Sequence, residues 1–160
     1  MILATIYLYY CISYYICQTN HINFTKPWWQ IQLNMSLVDV LIVGVGSSFG
    51  GMTRFLLSKL VQTETGGVFP WGTLTVNLLG CLAIGVIYGV LDRAGTLSHG
   101  MRLFLTVGFC GGFTTFSTFI HECHVMFGNS GVGMLAGYII LSIVGGLLLT
   151  YIGYSLIKLF

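Results

Sequence analysis

The stretch Gly108–Glu122, with the sequence GFCGGFTTFSTFIHE, combines paired glycines, Thr and Ser hydroxyls and phenylalanines inside a hydrophobic segment. A helix that faces lipid uses neither hydroxyl groups nor glycines that loosen its backbone. Where such residues occur at membrane depth, they indicate a lined pathway or an ion site. The stretch is therefore predicted to carry the function and to shape the fold around it.

The composition around this stretch indicates a membrane protein. The chain has 160 residues, of which 56% are hydrophobic and 6% charged, whereas an ordinary soluble domain is about 25% charged. Such a sequence cannot cover a surface that faces water, so the lipid bilayer is its solvent. A net charge of +2 without a basic cluster gives no indication of nucleic acid as a partner. The five cysteines have no CxxC spacing and are interpreted as small packing residues.

Four segments have the length of about 20 largely apolar residues that a transmembrane helix requires. They are, approximately, Leu37–Leu57, Trp71–Leu91, Leu103–Ile120 and Gly133–Ile157. In the third segment Gly111 and Gly112 weaken the helix, because glycine costs about 1 kcal/mol relative to alanine in a helix interior. The sequence thus predicts an all-α membrane domain of four transmembrane helices, with the third helix broken at its centre.

A break in the third helix frees backbone carbonyl oxygens, which need a partner inside a membrane. A bound cation is one such partner, and a close helix crossing at Gly111 is the alternative explanation of the glycines. The run His121–His124 superficially resembles a metal-ligand cluster. Neighbouring residues of a helix point in different directions, however, and the sequence offers no second set of ligands, so no metal is expected there.

Residues 1–34 differ in character from the rest of the chain. The first 20 are apolar and rich in tyrosine, and residues 21–34 contain few of the apolar residues typical of a buried core. A short fifth helix, or an interfacial segment with Trp28 and Trp29 at the headgroups, would explain them. The preferred interpretation is that Met35 begins a self-sufficient domain. Residues 35–160 are then the functional domain, and residues 1–34 are an upstream extension.

Glycines recur four residues apart in every segment, and such pairs let helix backbones approach where lipid provides no hydrophobic drive. The pairs are Gly46/Gly50, Gly85/Gly89, Gly108/Gly112 and Gly133/Gly137. Four short helices hardly enclose a pore, so these tight interfaces predict an oligomer, and a dimer is expected. The weak bias of Lys and Arg between the two sides suits a protein that inserts in both orientations.

Phe116 and Phe119 share a helix face because they lie three residues apart. The edge of a phenyl ring is positive, so two edges can contact a small anion without trapping it. The hydroxyls of Ser117 and Thr118 can donate hydrogen bonds in place of water. The alternative is a packing face of phenylalanines whose neighbouring hydroxyls bond back to the helix, and the spacing alone does not separate the two.

Polar residues in the other segments have two interpretations each. Asn77 lies at the centre of the second segment, where its amide either donates to an anion or bonds to another helix. Tyr138 and Ser142 lie four residues apart in the fourth segment and form a short polar stripe. Arg54 either creates positive potential at a pore entrance or has a structural role near the membrane interface.

From about Met35 to Phe160 the chain resembles the Fluc/CrcB family of fluoride-specific ion channels. The resemblance rests on GGMTRF, FPWGTLTVNLLG, GFCGGFTTFSTFIHE and the Tyr138/Ser142 stripe, in the expected order and spacing. It implies an antiparallel, dual-topology homodimer in the cell membrane, with four helices in each subunit. It also implies two narrow anion pathways and a structural sodium ion at the centre.

The resemblance implies roles for single residues. Asn77 resembles the pore asparagine, and Phe116 and Phe119 resemble the phenylalanines whose ring edges meet fluoride. The backbone carbonyls of Gly111 and Thr114, taken from both subunits, resemble the oxygen cage of the sodium ion.

Two further features follow from the same comparison. Arg54 resembles a vestibule arginine, and Tyr138 and Ser142 resemble part of a polar track in which Gly146 stands where a serine is expected.

The expected function is passive fluoride export that lowers cytoplasmic fluoride. The alternative is a small dual-topology multidrug exporter, which needs an acidic residue buried in the membrane.

Overall fold

The computed structural model describes residues 36–94, 97–129 and 131–159. All the regular elements in these ranges are helices, and four spans are long and apolar enough to cross a membrane. The spans are Leu37–Thr65, Trp71–Arg93, His99–Gly128 and Val132–Leu159. The prediction of an all-α protein with four transmembrane helices is confirmed. The expectation that residues 1–34 form a separate extension lies outside the described residues.

The helices continue past the apolar segments that predict them. Helix α1, Leu37–Thr65, extends eight residues beyond Leu57 through a polar stretch and ends where Gly66 adopts a φ of 62°. That left-handed conformation suits glycine and closes the helix. Helix α2, Trp71–Ala94, follows the turn. A search for apolar residues finds only the part of each helix that lipid surrounds, so it underestimates the length.

The third span consists of several helical pieces in series. They are α3, His99–Leu103; a π-helix, Phe104–Cys110; α4, Gly111–Phe113; and α5, Phe116–Asn129. Between α4 and α5 the backbone leaves the helix, and Thr114 is extended with φ −85° and ψ 157°. The pieces stay joined with a bend of 18°. The last helix, α6, is Val132–Leu159.

The interruption does not lie at the glycines that led to its prediction. Gly111 and Gly112 are helical, and the two residues outside the helix are Thr114 and Thr115. Gly112 serves a close helix crossing instead, because a Cβ there would lie 2.6 Å from the carbonyl oxygen of Ser47 in α1. The third span is thus not broken but joined with a bend of 18°, and the short interruption lies at Thr114 and Thr115, not at the glycine pair.

Glycines allow close approach between α1 and the third span and between α2 and α6. A Cβ on Gly46 of α1 would lie 2.8 Å from the carbonyl oxygen of Phe104, and one on Gly89 of α2 would lie 3.0 Å from that of Tyr154. The α1 backbone is thus pressed against the third span, and α2 against α6. Gly133 and Gly137, by contrast, have no described atom within 4 Å of an added Cβ. Their predicted role in close packing is not seen within the described part of the chain.

The buried core lies where α2, α5 and α6 meet. Leu74, Phe119, Met126 and Tyr138 form it, with Phe69 from the turn before α2 packed against them. Most of the other large apolar side chains are exposed, as expected where lipid or another subunit is the neighbour. This core places the polar residues of α2, α5 and α6 next to the interruption of the third span.

Candidate functional site

Asn77 of α2 forms a reciprocal pair of hydrogen bonds with the backbone of Thr115 at the interruption. Its Nδ2 donates to the Thr115 carbonyl oxygen over 3.0 Å, and its Oδ1 accepts from the Thr115 N–H over 2.8 Å. Both residues are buried. A backbone N–H can bond only to the amide oxygen, so Thr115 determines how the amide is turned. One interpretation of Asn77 was a hydrogen bond to another helix, and the structure contains that bond. The second hydrogen on Nδ2 is still available as a donor.

Thr115 also begins α5 as its N-cap residue. Its hydroxyl oxygen accepts from the Thr118 N–H over 3.3 Å, which is the bond expected of an N-cap threonine. The same hydroxyl donates to the Thr118 hydroxyl over 3.0 Å and lies 3.4 Å from that of Ser117. The hydroxyls of Ser117 and Thr118 therefore gather at the first turn of α5, where both residues are exposed.

Glu122 accepts hydrogen bonds from two other helices. Thr73 of α2 donates its hydroxyl to Oε1 over 2.6 Å, and Tyr138 of α6 donates its hydroxyl to Oε2 over 2.7 Å. Thr73 and Tyr138 are buried. These are short bonds of the charge-assisted type, so the carboxylate ties α2, α5 and α6 together inside the membrane.

The aromatic residues form a row from the surface into the core. The rings of Phe116 and Phe119 have centroids 5.9 Å apart, and those of Phe119 and Tyr138 are 5.1 Å apart. Phe116 is 41% exposed, whereas Phe119 is 7% and Tyr138 0% exposed. The structure therefore brings both predicted phenylalanines together. Phe119 also belongs to the core. Packing was the alternative role that the spacing of the phenylalanines did not exclude.

One face of α6 carries residues at every fourth position, and it lies against α2. The face consists of Tyr138, Ser142, Gly146 and Thr150. The Tyr138 hydroxyl donates its hydrogen bond to Glu122, whereas the buried Ser142 Oγ has no hydrogen-bond partner among the described residues. A Cβ on Gly146 would lie 3.2 Å from Cys81 Sγ. The thiol of Cys81 thus occupies the space beside the position where the resemblance predicts a serine.

Arg54 of α1 lies in an open cavity of about 440 Å³ that is also lined by Lys59, Thr73 and Thr118. Its Nη1 points to the carbonyl oxygen of Thr114 over 3.4 Å, which is long for an N–H···O bond. Two positive side chains therefore face hydroxyl groups at the interruption. This arrangement can attract an anion to the start of α5.

The interruption also redirects the donors of two backbone carbonyls. In a continuous α-helix, the N–H of Thr115 would donate to Gly111 and that of Thr118 to Thr114. The first donates to Asn77 and the second to the Thr115 hydroxyl. The described residues bring no three His, Cys, Asp or Glu side chains together. A cation here would use the Gly111 and Thr114 carbonyls, and oxygen is the donor that hard cations prefer.

Sequence reasoning missed three residues that the structure places in the site, namely Thr73, Thr115 and Glu122. The signal was available in their spacing. Thr73 and Asn77 lie four residues apart, and Glu122 lies seven residues after Thr115, so each pair shares one helix face. Polar residues at helical spacing inside an apolar segment would have indicated one continuous polar face.

Comparison with known proteins places the chain beside a single family. The family described as CrcB-like protein, Camphor Resistance (CrcB), matches residues 41–154. A fluoride-specific ion channel FluC from Leptospira interrogans serovar copenhageni is 41% identical over 122 residues, which cover 76% of this chain and 96% of that protein. A protein of the same name from Methylobacillus flagellatus is 42% identical over 124 residues, covering 77% and 97%. Another from Azobacteroides pseudotrichonymphae is 35% identical over 124 residues, covering 78% and 99%.

Proposed function

The chain belongs to the CrcB family of fluoride-specific ion channels, and from this premise we propose that it acts as an antiparallel, dual-topology homodimer in the cell membrane. It is a multi-pass membrane channel and not an enzyme. The family membership removes the alternative of a small multidrug exporter. Fluoride crosses passively along its own gradient, so an open channel lowers cytoplasmic fluoride.

The single observation that supports the homodimer is polar backbone on an exposed face of the third span. Gly111 is exposed and Thr114 half-buried, and the helical donors of both carbonyls are used elsewhere. Lipid cannot satisfy a carbonyl oxygen at membrane depth. Val107 and Ile120 of the same span are apolar and exposed as well. A second subunit on this face buries the apolar side chains and surrounds the carbonyls.

In this dimer the carbonyls of Gly111 and Thr114 from both subunits would hold a sodium ion. When bound, the ion supplies positive charge that satisfies four backbone oxygens at the interface. A carbonyl oxygen has two lone pairs, so Thr114 can accept from Arg54 and still face the ion. The ion would be structural, because backbone atoms of the two subunits would hold it at their interface.

Fluoride moves along the polar face that α2, α5 and α6 share. The second hydrogen of the Asn77 amide and the hydroxyls of Ser117 and Thr118 donate to the ion as it loses water. The ring edges of Phe116 and Phe119 then contact it with a weak positive potential. Along α6 the ion meets the Tyr138 ring and the Ser142 hydroxyl, whose oxygen is buried without a partner.

Selectivity follows from the size and hydration of fluoride. Close hydrogen-bond donors replace the tightly held water of a small anion, and the same spacing fits a larger halide poorly. Conduction also needs release, so the site has to bind weakly enough for the ion to leave. Hydroxyls, an amide and ring edges meet both conditions, because none carries a full positive charge.

Arg54 gives the vestibule its positive potential in this account. With Lys59 it lines the cavity that leads to Thr118 and the start of α5. Positive charge in a cleft raises the local concentration of anions. Because Arg54 lies outside the row of aromatic rings, it attracts fluoride without holding it in the narrow part.

Residues 35–160 form the channel domain in this proposal, and the family match over residues 41–154 supports that boundary. We expect deletion of residues 1–34 to leave fluoride transport intact. Lost membrane insertion or lost transport in the truncated protein would show that the extension belongs to the functional unit.

The function is tested with purified protein in liposomes loaded with potassium fluoride. After a potassium ionophore is added, we expect rapid and electrogenic fluoride efflux, measured with a fluoride electrode. Liposomes loaded with potassium chloride should show no chloride efflux above that of protein-free vesicles. Equal efflux of both halides would contradict the selectivity, and absent fluoride efflux beside a working control channel would contradict the function.

A further inference from the structure

One side chain from another helix binds the backbone at the interruption of the third span. An uninterrupted helix would direct the Thr115 N–H to the carbonyl oxygen of Gly111. That N–H donates over 2.8 Å to Asn77 Oδ1, and Asn77 Nδ2 returns a bond of 3.0 Å to the Thr115 carbonyl oxygen. The Thr114 N–H, one residue earlier, still follows the helical pattern and donates to Cys110 over 3.0 Å. The bond of the Thr114 N–H is therefore the last of the helical pattern, and the next N–H along the chain is the one that Asn77 accepts.

An asparagine side chain is suited to this task because its amide has the same donor and acceptor as a peptide group. It satisfies both polar atoms of Thr115 from one direction, as a neighbouring strand would. Asn77 and Thr115 are both buried, so water cannot take over these bonds. If the amide is removed, the arrangement that satisfies the Thr115 N–H again is a return to the Gly111 carbonyl, which closes the helix.

We infer that Asn77 is a positioning residue for the cation site, because its amide keeps Thr115 out of the helix and thereby keeps the Gly111 carbonyl free for an ion. This inference rests on the sodium site of the proposed function. It gives Asn77 a task apart from any contact with fluoride. It also connects α2 to the centre of the dimer through two hydrogen bonds.

The Thr115 hydroxyl is the competing cause of the interruption. As the N-cap of α5 it accepts from the Thr118 N–H over 3.3 Å, and an N-cap residue favours a helix start by itself. Thr115→Val removes this hydroxyl and keeps the backbone pair with Asn77. Asn77→Ala removes the backbone pair and keeps the hydroxyl. The two variants therefore separate the two causes.

The test measures thermal unfolding of the full-length protein in detergent as sodium chloride replaces N-methylglucamine chloride, with fluoride absent. A ligand that binds the folded state raises the unfolding temperature with its concentration. We expect wild type and Thr115→Val to respond at similar sodium concentrations. For Asn77→Ala we expect at least about a tenfold higher sodium concentration for the same response. An Asn77→Ala response equal to that of wild type would overturn the inference.

A second measurement needs no substitution and tests the hydrogen bond on which the inference depends, should Asn77→Ala not fold. In wild type without sodium, the Thr115 amide hydrogen should exchange as slowly as those of neighbouring helical residues, because Asn77 accepts it. Fast exchange at Thr115 would overturn the inference. A wild type that shows slow exchange but no specific sodium response would instead contradict the sodium site of the proposed function.

Discussion

The hydroxyl of Tyr138 donates to Oε2 of Glu122 over 2.7 Å, and this bond fastens the buried face of α6 to α5. Thr73 donates to the other carboxylate oxygen over 2.6 Å. One carboxylate thus joins three of the four membrane spans. Hydrogen bonds to a charged group contribute about 1.5–3 kcal/mol each, so this cluster has a measurable effect on stability.

Tyr138→Phe should lower the free energy of unfolding by about 1.5–3 kcal/mol, because it removes the bond to Glu122 and keeps the ring. The measurement is equilibrium unfolding in mixed micelles. Tyr151→Phe is the matched control, since Tyr151 lies on the same helix and is 70% exposed. Equal stability of the two variants would show that the hydroxyl bond contributes nothing.

Gly46→Ala should destabilise the protein by about 3 kcal/mol, as expected for severe overpacking. Its Cβ would lie 2.8 Å from the Phe104 carbonyl oxygen and 2.9 Å from Gly108 Cα, which are backbone atoms that cannot turn away. Gly44→Ala is the control on the same helix, because nothing described lies within 4 Å of its Cβ. The same unfolding measurement should find Gly44→Ala at least as stable as wild type. Similar losses in both variants would contradict the close crossing of α1 and the third span.

Gly146→Ser places the hydroxyl that the family resemblance predicts into the space beside the thiol of Cys81. The new Cβ would lie 3.2 Å from Cys81 Sγ, so we expect a loss of about 1 kcal/mol in stability from overpacking. The double variant with Cys81→Ala should regain that loss and conduct fluoride at least as fast as wild type. Cys81→Ala alone is the control. A double variant no more stable than Gly146→Ser would show that the thiol does not compete for this space.

The fold follows from the sequence because hydrophobic length alone identifies a membrane helix. The position of the interruption could not be predicted in the same way. Gly111 and Gly112 weaken a helix, but Gly112 is held helical against Ser47, and the break occurs where Asn77 reaches Thr115. That choice depends on a contact between residues 38 positions apart, which local propensity does not contain.

In the site, contacts within one helix could be predicted from sequence spacing, whereas contacts between helices could not. The neighbourhood of Phe116 and Phe119 follows from their spacing of three, and the structure brings the rings together. The bonds of Glu122 to Thr73 and Tyr138 join three separate helices. Helical spacing can place polar residues on one face of a span, but it does not show which other helix that face meets, so it could not indicate these partners.

The most direct test of the fluoride pathway is efflux through Phe116→Ile in liposomes. Phe116 is 41% exposed, so its replacement should leave the fold of the chain intact, and size-exclusion chromatography would verify that the proposed dimer still assembles. Phe119→Ile is expected to impair flux as well, but Phe119 belongs to the core and its loss also affects stability.

Phe127→Ile is the matched control, since Phe127 lies on the same helix and is 74% exposed. We expect Phe116→Ile to reduce the rate of fluoride efflux at least about tenfold, which is about 1.4 kcal/mol in the barrier, and Phe127→Ile to conduct as wild type does. Normal fluoride efflux through an assembled Phe116→Ile dimer would contradict the role of the ring edges.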